Sequence, residues 1–183
     1  ERVEPAVKPY EKNIAKNVMM PANAKKRHYD VEKRMRALEE YAETTPLNRI
    51  EWGGTELGII TSSTSYQYAK EVFGDSVSIL KLGMVHPLPA RLIGEFASKV
   101  KQLAVIEELD PVIEEFCRRL GLEVIGKDRL PLEGEYSQNL IAEAFHRPVP
   151  QGRQLAEAVP PRPPVMCAGC PHRGMFYLLS KHK

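Results

Sequence analysis

The sequence is poor in three features that would assign a protein class at once, namely cysteine, net charge and long apolar runs. Three cysteines among 183 residues are an odd number and too few for a disulfide framework, which favours a reducing, cytoplasmic setting. Twenty-six basic and 24 acidic residues leave a net charge of +2, which argues against a dedicated nucleic-acid binder. No apolar run reaches about 18 residues, so we predict neither a transmembrane helix nor a membrane partner.

Two phosphate-binding motifs are also missing. The sequence contains neither the G-x-G-x-x-G of dinucleotide-binding folds nor the G-x-x-x-x-G-K-[ST] of P-loops. The chain begins at Glu1 rather than Met, shows no signal peptide there, and stops soon after an apolar run. We therefore expect a fragment of a longer protein.

A regular alternation of strand-like and helix-like segments occupies residues 50–147. Because strands that alternate with helices of about ten residues form parallel βαβ units, we predict an α/β fold. Its architecture would be a three-layer sandwich around a mostly parallel sheet of four to five strands. Trp52-Gly53-Gly54 could add an edge hairpin before the first strand. The predicted strands are 57–60, 77–82, 103–106 and 122–125, and the predicted helices are 65–73, 89–100, 111–120 and 137–145.

The segments on either side of this α/β pattern differ from it in composition. Residues 1–29 are basic and polar, which predicts an extended arm that is either a linker or docked on a further domain. A helix should follow with Asp30 as its N-cap and end near Thr45-Pro46. Six prolines in 148–164 predict a linker. The expected domains are 1–49 (linker arm and helix), 50–147 (α/β domain), 148–164 (proline-rich linker) and 165–183 (start of another domain).

Polar residues follow the predicted strands, and ligands of parallel sheets bind outside the carboxyl ends of the strands. The hydroxyl run 61–64 could hold a phosphate or simply cap the next helix. Glu107 and Glu108 could form a paired-carboxylate site, or they could stabilise the N-terminus of the following helix through its dipole. We expect His86 to be a loop residue without a catalytic role.

Another helix is predicted to start with Asp110 as N-cap and Pro111 in its first turn. Its outer face should carry the ion pairs Glu114–Arg118 and Glu115–Arg119. We assign Cys117, on the apolar face, to the core.

Cys167 and Cys170 form a C-x-x-C pair, the strongest local signal for chemistry. Two thiolates at this spacing can hold one tetrahedral metal or one iron of a cluster, with His172 as a possible third donor. A dithiol redox pair and a plain turn of small residues are the other interpretations.

Four segments, in this order, resemble the α subunit of indolepyruvate:ferredoxin oxidoreductase, a thiamine-diphosphate-dependent 2-oxoacid:ferredoxin oxidoreductase. They are 81–89, 107–115, 126–135 and 163–173, and the last is the most specific. The resemblance implies that residues 50–147 are similar to the transketolase C-terminal domain. It also implies that residues 165–183 open the domain that binds the cofactor diphosphate.

The activity implied by this resemblance is the conversion of indolepyruvate and other aryl pyruvates with coenzyme A to acyl-CoA and CO2, with reduction of ferredoxin. The implied partner is a β subunit, and the implied cofactors are thiamine diphosphate, Mg²⁺ and 4Fe–4S clusters. This part of the enzyme would be a scaffold and interface domain, without catalytic residues, without bound cofactors and inactive alone. The implied site residues near thiamine diphosphate are Cys167, Gly169, Cys170, His172 and Arg173, with Cys167 and Cys170 as cluster ligands.

The sequence departs from the family pattern in three respects. The Gly-Asp-Gly metal and diphosphate signature and the ferredoxin-like cysteine clusters are absent. Ala168 stands where the family usually has proline. Two alternatives therefore stay open: a free-standing α/β module that binds an anionic ligand, and a metal-dependent interaction domain built on the C-x-x-C pair.

Overall fold

The structure is a computed structural model that describes residues 6–150, 152, 160 and 165–182. The chain divides into two compact units, Glu1–Val149 and Pro150–Lys183. Most of the proline-rich linker predicted at 148–164 lies outside the described residues. No helix in the described part of the chain is long and apolar enough to cross a membrane.

The first unit is built on a sheet of four strands in the order β1-β3-β2-β4. The central strand β2 runs parallel to both β3 and β4, and β1 pairs antiparallel with the free side of β3. This confirms a mostly parallel sheet at the lower end of the predicted strand number. The strands are β1 (Arg49–Glu51), β2 (Leu57–Ser62), β3 (Ser78–Leu82) and β4 (Gln102–Ile106).

Helices cover both faces of the sheet, so the predicted three-layer sandwich is confirmed. Successive strand residues point to opposite faces, and both faces are apolar. Ile59 and Ile79 pack in one core cluster with α3 and α6, while Ile60 and Leu80 pack in the other with α4 and α5. These helices are α3 (Ser65–Phe73), α4 (Ala90–Ala97), α5 (Val112–Arg119) and α6 (Gln138–Ala144).

Helical structure begins earlier than predicted in the N-terminal arm. A short α1 (Ile14–Asn17) precedes α2 (Pro21–Ala42), so an extended arm over 1–29 and an N-cap at Asp30 are both wrong. Pro21 occupies the first helical position, for which its fixed φ is suited. The Ala, Lys and Arg residues within 22–27 favour helix by their intrinsic propensity, ahead of the large, partly buried apolar residues that start at Val31. The predicted end of this helix before Thr45 is confirmed.

Two predictions at the sheet edges are wrong. The extra edge strand β1 lies before Trp52 and pairs with β3, so no hairpin forms with β2. The strand predicted at 122–125 is reduced to a single bridge between Ile125 and Ala104, because within this segment only Ile125 exchanges backbone hydrogen bonds with β4. The second unit contains α7 (His172–Lys181), all of whose side chains are exposed.

Candidate functional site

The carboxyl edge of the sheet forms an open cleft of about 350 Å³ in the first unit. Ser63 and Leu109 line it with backbone φ angles of 50° and 59°, in the left-handed region that non-glycine residues seldom adopt. Val85, Leu109 and Val112 expose apolar surface at or beside this cleft. The edge predicted from the strand ends is therefore a real depression.

Glu107 is committed to the start of α5. Its Oε2 accepts a hydrogen bond from the N–H of Ile113 and its Oε1 from the N–H of Glu114, both at 2.9 Å. Burial raises the pKa of Glu107, and the two N–H donors and Lys127 act in the opposite direction. Of the two interpretations of this acidic pair, the structure favours stabilisation of the helix N-terminus.

The Asp110 cap is wrong, because Pro111 takes the N-cap position of α5 and no N-cap side chain makes a hydrogen bond there. Glu107, three residues before Asp110 and directly after β4, supplies the acceptor in its place.

The same arrangement recurs at α4, which also starts after a proline, Pro89. There Glu43 accepts hydrogen bonds from the N–H of Arg91 at 3.0 Å and of Leu92 at 2.8 Å. The N-termini of α4 and α5 are thus occupied by carboxylates of the chain itself, so neither is free to bind an anion. The start of α3, where the hydroxyl run lies, has no side-chain cap hydrogen bond.

Lys127 joins the loop after Ile125 to the end of β4. Its Nζ donates to the carbonyl oxygen of Glu107 at 2.6 Å and to the hydroxyl of Tyr136 at 2.7 Å. The Tyr136 hydroxyl in turn donates to the carbonyl oxygen of Pro131 at 2.7 Å. Burial lowers the pKa of Lys127 and raises that of Tyr136 to about 12. Through these three hydrogen bonds Lys127 and Tyr136 form a fixed polar lock that ties together Glu107 and Pro131.

Glu114 does not lie on the outer face of α5 as predicted. It is buried, and its Oε2 accepts a hydrogen bond from the N–H of Lys127 at 2.8 Å while its Oε1 pairs with Arg118 at 2.7 Å. A Cβ at position 126 would collide with the Glu114 carboxylate, so Gly126 permits the close approach of this loop. The Glu114–Arg118 pair itself is confirmed. Cys117 is buried beside them, and burial raises its pKa to about 12, as suits an inert core thiol.

The other polar residues predicted at this edge are separated by the fold. Thr61 is buried and donates to the carbonyl oxygen of Ile106 at 2.7 Å, whereas Ser62 and Ser63 line the cleft. Glu108 accepts a hydrogen bond from the N–H of Tyr136 at 2.8 Å. His86 is exposed and lies at a second groove between α2 and α5.

In the second unit, Cys167 and Cys170 stand at the two ends of a tight turn. The N–H of Cys170 donates to the carbonyl oxygen of Cys167 at 3.1 Å, and Gly169 has a φ of 75°. This combination is typical of a type II turn, which favours glycine at its third position. Helix α7 begins two residues later, and the Cys170 Sγ lies 3.6 Å from the Nδ1 of His172.

This turn could supply part of a metal or cluster site. Cys167 is exposed and Cys170 partly so, and thiolates are the ligands that iron–sulfur clusters use. The described residues include no group of three or more His, Cys, Asp or Glu side chains placed to hold a metal ion. The two cysteines thus fit as part of a metal or cluster ligand set rather than as a complete one. Gly169 shapes the turn, and His172 and Arg173 lie in the first turn of α7.

Sequence analysis missed the residues that act on distant partners. Glu43 and Tyr136 carry no local signal, because their hydrogen-bond partners are distant in the sequence. The N–H donors to Glu43 lie 48 and 49 residues away, and Tyr136 accepts from Lys127, 9 residues away, and donates to Glu108, 28 residues away. A glycine followed by lysine directly after a strand was the available signal for the Lys127 lock.

The fold is shared with part of a solved 2-oxoacid:ferredoxin oxidoreductase. That structure is a 2-oxoglutarate:ferredoxin oxidoreductase from Magnetococcus marinus, with 2-oxoglutarate, coenzyme A and succinyl-CoA bound. The match has a TM-score of 0.50 at 15% identity and covers 70% of this chain and 23% of that chain. A scan against protein-family models found no match.

Curated relatives identify the family more closely. Proteins named indolepyruvate oxidoreductase subunit IorA match at 35% identity in Archaeoglobus fulgidus, 33% in Methanothermobacter thermautotrophicus and 32% in Pyrococcus horikoshii. These matches cover 94%, 97% and 94% of this chain. The chain belongs to the family of subunit IorA, and it spans 30 to 32% of the length of these relatives. The resemblance predicted from the sequence is confirmed.

Proposed function

We propose that this chain is the scaffold part of an indolepyruvate:ferredoxin oxidoreductase α subunit. The observation that carries the proposal is the match to IorA over nearly all of the chain. The complete enzyme would convert indolepyruvate or another aryl pyruvate and coenzyme A to acyl-CoA and CO2, and would reduce ferredoxin. It would act in the cytoplasm together with a β subunit.

The domain assignment is part of this proposal. Residues 50–147 would form the transketolase C-terminal-like domain, with 1–49 as the connecting arm and 148–164 as the linker to a thiamine-diphosphate-binding domain that opens at 165–183. The hydrogen bonds of Glu107 and Lys127 support a role in positioning the neighbouring domains, because they use the polar groups at the sheet edge for contacts within the chain. A scaffold domain of this kind would fix the relative positions of the adjacent domains without contacting the substrate.

The cofactor side of the proposal concerns the turn at the start of α7. Cys167 and Cys170 would provide two thiolates to an iron–sulfur cluster, and Gly169, His172 and Arg173 would lie near thiamine diphosphate. Thiamine diphosphate with Mg²⁺ supplies the carbanion chemistry of 2-oxoacid decarboxylation, and the clusters carry the electrons onward. The chain's own contribution would be to hold the two thiolates on one side of the turn through the positive φ of Gly169.

The test uses the full-length parent expressed with its partner subunit. Anaerobic viologen reduction should require indolepyruvate, coenzyme A and thiamine diphosphate together. A folded, cluster-replete complex that shows no such activity would contradict the indolepyruvate assignment and leave a shared scaffold. A Cys167→Ser, Cys170→Ser double variant should lose iron, and a Cys117→Ala variant should keep it.

A further inference from the structure

The geometry of the C-x-x-C turn points to a second chemistry of the same two sulfurs. We propose that Cys167 and Cys170 close reversibly into an intrachain disulfide, which withdraws both thiolates from the cofactor site. The disulfide depends on the structure of this chain alone. Only its effect on the cofactor site rests on the proposed function.

The turn already holds the two cysteines at a separation that a disulfide can span. A hydrogen-bonded turn places its first and fourth Cα atoms within about 7 Å, and disulfides join Cα atoms about 4.4–6.8 Å apart. The hydrogen bond of 3.1 Å from the Cys170 N–H to the Cys167 carbonyl oxygen fixes this turn. Closure would therefore need side-chain rotation and little backbone movement.

The two sulfurs differ in their access to solvent, and access is one of the factors that set the rate of thiol–disulfide exchange. Cys167 is exposed and can meet a soluble disulfide, while Cys170 is partly covered and lies next to His172. The third cysteine, Cys117, is buried in the first unit and out of reach of such a reagent. The reaction should thus be confined to one pair of the three cysteines.

The oxidant would be a low-molecular-weight disulfide. The Cys167 thiolate attacks one of its sulfurs, forming a mixed disulfide and releasing one small thiolate. The Cys170 thiolate then attacks the Cys167 Sγ, forming the intrachain S–S bond and releasing the second small thiolate. The two protein thiols lose two electrons and two protons, and the small disulfide becomes two small thiols.

The test titrates the whole chain with oxidised and reduced glutathione under anaerobic conditions in the presence of a chelator. After acid quenching and alkylation under denaturing conditions, the number of free thiols should fall from three to one. Peptide mapping should give a Cys167–Cys170 crosslink with Cys117 alkylated, and reduced glutathione should restore all three thiols. A stable glutathione adduct on Cys167, or two free thiols at the oxidised limit, would overturn the proposal.

Two variants that keep both cysteines test the role of the turn. Ala168→Pro places proline at a turn position that favours it, so closure should occur at a lower ratio of oxidised to reduced glutathione. Gly169→Val puts a β-branched residue at a φ of 75°, so closure should need a ratio about tenfold higher. Identical titrations for the two variants would show that the native turn does not direct the closure.

A separate arm tests the regulatory consequence. The full-length parent is treated with iron and sulfide before or after oxidation, and its iron content is measured. Oxidation first should lower iron uptake, and loading first should protect Cys167 and Cys170 from closure. If iron uptake does not depend on these cysteines, the cluster assignment fails, while the glutathione titration still decides the disulfide.

Discussion

Both carboxylate oxygens of Glu107 are used, one on the N–H of Ile113 and one on that of Glu114. A Glu107→Gln variant keeps the shape of the side chain but has only one oxygen to accept hydrogen bonds, so one buried N–H loses its acceptor. We expect the free energy of unfolding to fall by about 1–3 kcal/mol in urea denaturation at neutral pH. Glu115→Gln, at an exposed position of the same helix, should change it by less than about 0.5 kcal/mol. Equal losses in the two variants would refute the capping role.

Glu51 makes stability depend on acid pH. The Tyr66 hydroxyl donates to its Oε1 at 2.7 Å, and with Arg49 and Lys70 this lowers the pKa of Glu51 to about 2. Because its pKa is higher in the unfolded chain, Glu51 stabilises the fold above about pH 4.5, and that stabilisation is lost as the pH falls towards 2. Glu51→Gln should therefore remove about 1–2 kcal/mol of the pH dependence in this window, after allowance for partial exposure.

The comparison for Glu51 is made by denaturant unfolding of the variant and the wild type at each pH. Glu107, whose raised pKa gives a contribution that decreases as pH rises, is present in both proteins and cancels. Glu56→Gln removes a carboxylate of an exposed pair with Lys101 and should leave the pH slope unchanged. If the free energy of unfolding of Glu51→Gln depended on pH as it does in the wild type, the hydrogen bond from Tyr66 would not stabilise the Glu51 carboxylate.

Asn48 links helix and sheet at the scale of whole elements. Its Nδ2 donates to the carbonyl oxygen of Ala42 at 2.9 Å, and its Oδ1 accepts from the N–H groups of Gly83 at 3.0 Å and Met84 at 2.9 Å. One side chain thus ties the end of α2 to the end of β3. Asn48→Ala should lower the free energy of unfolding by about 2–4 kcal/mol in chemical denaturation. Asn139→Ala, at an exposed position of α6, is the matched control, and a comparable loss there would point to a general effect of asparagine removal.

Most elements between β2 and α6 could be predicted to within a residue or two, because their signals are local. The apolar run at 57–60 became β2, Gly74 ends α3 with a φ of 55°, and Ser137 caps α6 by accepting from the N–H of Leu140. Elements that depend on a partner elsewhere were missed or misplaced. Strand β1 exists through pairing with β3, and the segment at 122–125 lacks enough pairing to extend beyond one bridge.

The candidate site divides in the same way. Sequence spacing was enough to propose the C-x-x-C turn, and Gly169 gives that turn its shape. It was not enough to show that Glu43 caps α4, because 48 residues separate the carboxylate from Arg91. Local sequence predicts backbone conformation. The hydrogen-bond partner of a polar side chain depends on which residues the tertiary structure places next to it.

At the scale of the whole molecule, the two units differ in what stabilises them. The buried hydrophobic residues in the described ranges run from Ala42 to Ala142, and all except these two alanines belong to the two clusters on either side of the sheet. The cysteine turn and α7 contribute no buried side chain. Cooperative unfolding should therefore report on the sheet and its helices alone.

This difference predicts that neither a metal chelator nor removal of the cysteine pair alters thermal unfolding of the core. The Cys167→Ser, Cys170→Ser variant and the EDTA-treated wild type should keep the wild-type midpoint to within about 1 °C by circular dichroism. Ile59→Ala, which opens a cavity beside β3 and β4, should lower it by roughly 5–15 °C and shows that the measurement is sensitive. A lower midpoint with chelator would mean that metal binding is coupled to folding. The metal-dependent interaction domain would then explain this chain better than the scaffold does. A scaffold whose core lies wholly in the first unit should unfold at the same temperature with and without chelator.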